Sequence, residues 1–122
     1  MLELSVGSVF ALPATHLSPR DPRGWFITLG ISWTYLIDGQ YDPAIAAAKN
    51  VLNQNPQCSY ALRFVASSLA KQERVDQAAR VARKALSIEP VTLTKLRRRL
   101  MFIDEGVWRD YAAGLRDAGL AD

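Results

Sequence analysis

YDPAIAAAKNVLNQNP, residues 41–56, returns thirty-four positions later as VDQAARVARKALSIEP, residues 75–90, and the two segments match in register. An aspartate, two alanines, a leucine and the closing proline coincide: Asp42 and Asp76, Ala44 and Ala78, Ala48 and Ala82, Leu52 and Leu86, Pro56 and Pro90. Small residues three and four apart, ended by proline, are typical of a helix whose backbone lies close to its neighbours. The spacing predicts a helical repeat in which these alanines are buried.

Turn and capping signals around the repeat divide the chain further. Residues 1–20, interrupted by two prolines, are predicted to form an irregular N-terminal arm, and residues 21–122 a domain of six helices. The third and fourth helices are expected at about 57–72 and 75–88. Single residues predict the other boundaries. Asp21 is the expected N-cap of the first helix, and Gly39, with positive φ, is expected to end it. Asp42 and Pro43 are expected to begin the second helix, Thr92 the fifth and Asp104 the sixth, and the sixth helix is expected to end at Gly119.

Composition excludes several classes of protein. Apolar residues make up 49% of the chain and charged residues 22%, as in ordinary globular proteins. The single cysteine, Cys58, forms no internal disulfide, and His16 has no second histidine or cysteine with which to hold a metal, so we expect no metal and no cofactor. The start of the chain lacks a basic segment and carries Glu3, and no apolar run is long enough to span a membrane. We therefore expect no membrane contact and a cytoplasmic location.

Charge is distributed unevenly along the sequence. The chain carries +3 overall, but residues 63–99 hold ten basic residues against three acidic ones, a net +7. A partner, if there is one, is expected to be acidic. Lys95, Arg97, Arg98 and Arg99 also raise the alternative of weak nucleic-acid binding. Because consecutive arginines on a helix point in different directions, a solvated face is the preferred interpretation.

The aligned segments resemble the tetratricopeptide repeat (TPR) family, whose unit is a 34-residue helix-turn-helix. The family positions fall in units 25–58 and 59–92: Ile31, Ser32, Tyr35, Gly39, Tyr41, Ala44, Ala48, Val51 and Pro56, then Val65, Ala66, Leu69, Val75, Ala78, Ala82, Ala85 and Pro90. The chain departs from the family pattern at Thr28, Ala48 and Ala82, where aromatics are common, and at Glu73, where glycine is common. The resemblance implies an all-α, right-handed superhelical stack of about three antiparallel helix pairs, with 93–119 as a divergent capping pair.

Two flanking segments suggest a narrower likeness. LSPRDPRGW, residues 17–25, and the ending LTKLRRRLMF with LRDAGLAD look like the repeat tail of bacterial class III adenylate cyclase-like proteins and related regulators. In those proteins the repeats follow a catalytic or DNA-binding domain. The likeness implies the non-catalytic tail, or a relic, of a larger bacterial signalling protein.

The TPR resemblance also implies a binding surface. In that family the first helix of each unit lines a concave groove that binds peptides. Carried onto this chain, the ligand-contacting places are Phe26, Leu29, Trp33, Leu36, Tyr60, Arg63, Ser67, Lys71 and Arg97, with Thr94 and Met101 beside them. One end of this groove is aromatic and the other basic, which suits an extended peptide with apolar anchors and a carboxylate.

The leading hypothesis from the sequence is thus a protein-protein interaction module, or scaffold, without catalytic activity. No nucleophile, base and orienting group are placed together, so no enzyme activity is expected. The first alternative is a self-associating module, a homodimer through the uncapped N-terminal end. In either case the apolar arm, with Leu2, Leu4, Val6, Val9, Phe10 and Leu12, is predicted to cover the first helix of its own or a second copy. Gly30, Gly106 and Gly114 lie inside helical patterns and are interpreted as packing residues.

Overall fold

The computed structural model describes residues 22–122, with side chains from residue 24 onward. Six helices and no strand occur in this part of the chain, which confirms the all-α prediction. They are α1 (Pro22–Ile37), α2 (Tyr41–Gln54), α3 (Ser59–Lys71), α4 (Val75–Ile88), α5 (Leu93–Arg99) and α6 (Glu105–Asp117). The predicted arm, residues 1–20, and the predicted N-cap Asp21 lie outside the described residues.

Two helical hairpins, α1–α2 and α3–α4, carry the same turn thirty-four residues apart. In the first, the Gln40 amide donates to the Tyr35 carbonyl at 2.9 Å; in the second, the Arg74 amide donates to Leu69 at the same distance. These bonds close the C-terminal turn of the first helix of each hairpin, and the next helix begins directly after them. The repeat seen in the sequence is therefore also a repeat of backbone hydrogen bonds.

The residue before each of these amides has positive φ, namely Gly39 at 78° and Glu73 at 63°. Glycine adopts this conformation without steric cost, whereas the Cβ of glutamate meets the following carbonyl. We predict that Glu73→Gly stabilises the chain by about 0.5–1 kcal/mol in urea unfolding. The reciprocal variant Gly39→Ala should lose a similar amount. Equal stability of Glu73→Gly and the parent chain would show that the turn carries no strain.

Capping residues set several boundaries where the sequence placed them. The Thr92 hydroxyl accepts the Lys95 amide, and the Asp104 carboxylate accepts two amides of α6, so both predicted N-caps are confirmed. The prediction for Asp42 is wrong: the N-cap of α2 is Gln40, which makes no side-chain cap. The turn hydrogen bond of Gln40 already directs the chain into the helix, so Asp42 falls in the first turn, where its charge favours the positive end of the helix dipole.

Small residues bring the helices into close contact. Ala44, Ala48, Ala78 and Ala82 are all buried, which confirms the burial predicted from the repeat. Helix α3 is the centre of the fold, because α1, α2, α4 and α6 all pack against it and every residue from 61 to 70 is buried. Half of the residues from 61 to 70 are alanine or serine, and these small side chains allow the close approach.

Helix α6 packs mainly on α3 and also contacts α1, α4 and α5. Gly114 makes the approach possible: a Cβ built there would lie 2.3 Å from the Ser67 hydroxyl oxygen and 2.9 Å from the Ser67 carbonyl oxygen. Gly114 is thus the packing residue that the sequence predicted. Gly30 differs, since a Cβ added there would meet nothing within 4 Å.

Candidate functional site

An apolar cavity of about 340 Å³ opens between α1, α3, α5 and the segment that follows α5; we call it the apolar socket. A cavity of this size is within the range of sites for small ligands and side-chain anchors. The phenol groups of its two tyrosines and the indole N–H of its tryptophan are the only polar groups among the lining side chains. The lining residues are Phe26, Leu29, Gly30, Trp33, Tyr60, Phe64, Leu96, Leu100, Phe102, Ile103 and Tyr111.

Helical spacing explains why these side chains converge. The α1 residues of the socket lie three, four and seven positions apart, and Leu96 and Leu100 lie four apart, so each set occupies one face of its helix. Three aromatic rings form the floor. The Trp33 ring centroid lies 5.3 Å from Phe64 and 5.2 Å from Tyr111, the latter edge to face. Aromatic pairs at these distances attract one another, so the three rings form one packed floor.

The lip of the socket is strongly exposed. Phe26 has 67% of its surface accessible and Phe102 has 81%, and Met101, next to Phe102, has 72%. Single exposed apolar residues are ordinary on protein surfaces, but these flank one apolar cavity. The socket and its lip therefore form one continuous apolar surface with a defined shape.

Tyr111 of α6 divides the predicted groove in two. It lines the apolar socket and also a second cavity of about 400 Å³, between the α1–α2 turn, α3 and the start of α6. The Ser67 hydroxyl donates to the Tyr111 carbonyl at 3.2 Å and holds α6 against α3. Complete burial raises the pKa of the Tyr111 hydroxyl to about 12, so the ring stays neutral at physiological pH.

The nine residues predicted to line one groove are accordingly separated. Four belong to the apolar socket, namely Phe26, Leu29, Trp33 and Tyr60. Three line the second cavity, which is more polar and includes Asp104 and Asp110: Leu36, Ser67 and Lys71. Arg63 and Arg97 line neither cavity. The structure thus brings the aromatic end of the predicted groove together and places α6 across the rest.

Arg63 lies inside the protein, with 1% of its side chain exposed, and its guanidinium is 3.4 Å from the Glu89 carboxylate. Arg99 binds the second oxygen of Glu89 at 2.7 Å, and the Ser59 hydroxyl donates to the first at 3.2 Å. The hydrogen bond from Arg99, followed by that from Ser59 and the charges of both arginines, lowers the pKa of Glu89 to about 2 against the opposing effect of burial. Arg63 also stacks on the Tyr60 ring, 4.7 Å from its centroid.

The arginines of α5 diverge, as expected for consecutive helical residues. Arg97 donates to Glu105 at 2.8 Å and to the Leu100 carbonyl, and its guanidinium lies over the Trp108 ring. Arg98 lies on the outer side, and Arg99 turns toward Glu89. The three side chains do not form one track for a phosphate backbone. Nucleic-acid binding stays a prediction from charge alone.

Among residues 24–122 no cluster of three or more histidine, cysteine or acidic side chains has a geometry suited to a metal ion. Cys58 is buried and forms no disulfide. No helix within the same range is long and apolar enough to cross a membrane.

Sequence reasoning missed several residues of the socket, above all Tyr111, Leu100, Phe102 and Ile103. The signal that could have found part of it is the run Leu-Met-Phe-Ile, residues 100–103, directly after three arginines. An exposed run of three or four consecutive apolar residues is unusual unless it has a function, so this run could have indicated an apolar surface between α5 and α6. Tyr111 gave no such signal, because its contribution depends on where α6 packs.

The fold and the site together define an all-α protein of repeated helical hairpins with an open apolar socket. Comparison of the chain with known protein families, characterised proteins and solved structures finds no match.

Proposed function

We propose that this chain is a non-catalytic protein-interaction module that binds a peptide or a partner helix in the apolar socket. The observation that carries the proposal is the combination of a packed aromatic floor with the exposed lip of Phe26 and Phe102. Buried aromatic and aliphatic anchors supply most of the free energy of peptide binding. A ligand that places two bulky side chains in the socket would remove both its floor and its lip from water.

The TPR resemblance supports the same proposal. The repeated turn hydrogen bonds and the buried alanines are what a TPR-like right-handed stack would show, and α1 and α3 correspond to the helices that line its groove. Helix α6 then occupies part of the groove, and the apolar socket is the part that remains open. By the narrower likeness, the module would act beside the catalytic or DNA-binding domain of a bacterial signalling protein, in the cytoplasm.

Self-association is the second candidate. It is supported by the exposure of the lip, because Met101 and Phe102 are the most exposed large apolar side chains among the described residues. The Phe102 ring of one copy could therefore enter the socket of another. Such an exchange would be symmetric and would close as a dimer. Such a dimer requires no outside partner. Light scattering over a range of protein concentrations distinguishes the dimer from a monomer that binds a peptide.

The proposal predicts that peptides selected on the full chain bind through the lip. Random peptides of about twelve residues displayed on phage would be selected against the parent protein, and the enriched peptides synthesised. We expect the double variant Phe26→Ser/Phe102→Ser to bind them at least about tenfold more weakly, a loss of about 1.4 kcal/mol. Both side chains are exposed, so the substitutions should change stability by no more than about 0.5 kcal/mol.

The matched control is Val75→Ser, which removes an exposed apolar side chain at the start of α4, outside the socket. It should leave peptide affinity unchanged. If no peptide is enriched, or if the enriched peptides bind the lip variant as well as they bind the parent, the proposed function is wrong. A concentration-dependent dimer that the lip variant abolishes would support self-association instead.

A further inference from the structure

We propose that the ligand of the apolar socket is an acidic peptide segment, with bulky apolar anchors flanked by aspartate or glutamate. The inference rests on the proposed function and names the chemistry of the partner. It starts from the charges of the helices that form the socket: α1, α3 and α5 contain no acidic residue. Helices α3 and α5 alone carry six basic ones, Arg63, Lys71, Lys95, Arg97, Arg98 and Arg99.

The acidic side chains near α5 and the start of α3 already have partners, including Asp122, which pairs with Arg116 and whose main-chain oxygen accepts the Thr94 hydroxyl. Glu89 is shared between Arg63 and Arg99, Glu105 holds Arg97, and the Asp104 carboxylate caps α6. Two arginines against the single charge of Glu89 leave that cluster positive. Within residues 24–122, no carboxylate lies within ion-pair distance of Lys95 or Arg98. The surroundings of the socket are therefore positive in sum, and its interior is apolar.

The positive groups are also close enough to act on a bound peptide. Arg97 follows the socket residue Leu96 by one position and Arg99 precedes Leu100 by one, so they lie on the two sides of the apolar stripe of α5. Each keeps about a third of its side chain exposed. A carboxylate beside an anchor residue in the socket would meet a guanidinium on either side, and guanidinium groups bind carboxylates through several parallel N–H donors.

The same geometry disfavours the other anionic partners. Single-stranded nucleic acids need a continuous basic groove with stacked rings, but Arg97, Arg98 and Arg99 point in different directions and form no continuous track. An anionic bilayer needs a broad apolar face that enters it, whereas the socket is a recess between α1 and α5. A peptide matches both the apolar recess and the positive charge beside it, because one apolar side chain fills the recess while neighbouring carboxylates reach Arg97 and Arg99.

The test uses three fluorescein-labelled peptides of about twelve residues with one apolar core of leucine and phenylalanine, flanked by glutamate, glutamine or lysine. Fluorescence anisotropy with the full chain at about 0.1 M salt, where the screening length is about 10 Å, should rank them glutamate, glutamine, lysine. We expect the glutamate peptide to bind about tenfold more tightly than the lysine peptide, and most of this difference in affinity should vanish at about 1 M salt. The double variant Arg97→Gln/Arg99→Gln should narrow this difference in affinity, whereas Lys95→Gln/Arg98→Gln, which changes the outer side of α5, should narrow it much less.

The outcomes separate this inference from the function on which it rests. If all three peptides bind with equal affinity and the Phe26→Ser/Phe102→Ser variant binds none, the socket is a peptide site but the acidic preference is refuted. If none of the peptides binds the parent chain, the proposed function is refuted, and the acidic preference that rests on it is refuted with it. Phosphatidylserine vesicles or a single-stranded oligonucleotide that bind more tightly than the glutamate peptide, through the same two lip residues, would overturn the assignment to a peptide.

Discussion

Gly114→Ala is expected to destabilise the fold by about 1–3 kcal/mol or more, even though alanine is the best helix former. The new methyl group would lie 2.9 Å from the Ser67 carbonyl oxygen and 3.1 Å from its Cα, as well as 2.3 Å from the hydroxyl oxygen. The hydroxyl can rotate away, but the backbone of α3 cannot, because it is packed on all sides. Helix α6 must then move outward and lose its contacts with α3.

Gly30→Ala is the matched control for this prediction. Gly30 also lies inside a helix, but nothing is within 4 Å of the added atom, so only helix propensity acts and stability should rise by up to about 1 kcal/mol. Urea unfolding of the two variants beside the parent measures both effects. Ser67→Ala in the Gly114→Ala background should recover part of the loss. If both glycine variants were stabilised alike, α6 would not lie where the structure places it.

The same variant has a consequence for the site. Tyr111 is one turn before Gly114 on α6, and its ring is part of the floor of the socket. A displaced α6 would remove one of the three rings and join the two cavities that Tyr111 separates. Peptide affinity should therefore fall in Gly114→Ala although no residue of the lip has changed.

The sequence predicted the helices well because their boundaries depend on local chemistry. Thr92 and Asp104 cap the helices that they precede, and Gly39 ends α1, because hydrogen bonds within a few residues decide these positions. The burial of Ala48 and Ala82 followed from the repeat, since equivalent positions in stacked units face equivalent neighbours. Asp42 was wrongly predicted as the N-cap because the turn hydrogen bond of the Gln40 amide starts α2 two residues earlier.

The socket could be predicted only in part. Phe26, Leu29 and Trp33 share a face of α1, and helical periodicity is enough to group them. Which side chains lie opposite that face depends on the path of the chain after α5. A helix of seven residues and a short apolar segment return the chain so that α6 lies on α3. Packing of that kind depends on shape, above all on the missing side chain of Gly114, and no spacing rule reveals it.

The ion-pair cluster around Glu89 could not be predicted for a related reason. In the sequence Glu89 indicates only a helix stop before Pro90, and the TPR resemblance assigns Arg63 to an exposed groove. Their contact joins the N-terminal half of α3 to the end of α4, twenty-six residues later in the sequence. Opposite charges are frequent on any chain, and only the packing of the hairpin shows which of them meet.

Glu89→Gln is expected to cost about 3 kcal/mol, the other large effect among these predictions. The substitution leaves the buried guanidinium of Arg63 without a carboxylate, and two of its nitrogen atoms, Nε and one Nη, already lack a hydrogen-bond partner within the described residues. An uncompensated buried charge is more costly than the loss of a surface pair. Arg63→Met in the same background should restore much of the loss, because an apolar side chain of similar length needs no partner there.

Acid provides an independent measure of the same cluster. The pKa of Glu89 is lowered from 4.5 to about 2 in the folded chain, so the unfolded chain takes up the proton first as the pH falls. The stability that this carboxylate contributes is complete above about pH 4.5 and is lost as the pH falls toward 2. Thermal melting from pH 7 to pH 2 should therefore show a steep decline in the parent chain and a shallower one in Glu89→Gln.

Glu105→Gln is the matched control for the stability and the acid profile of Glu89→Gln. Glu105 also pairs with an arginine, but Glu105 is exposed and Arg97 is partly exposed, and a pair at the surface contributes at most about 1 kcal/mol. Its removal should leave the acid decline of the parent in place. If Glu89→Gln were no less stable than Glu105→Gln at neutral pH and followed the same acid profile, the buried Arg63 would not depend on Glu89.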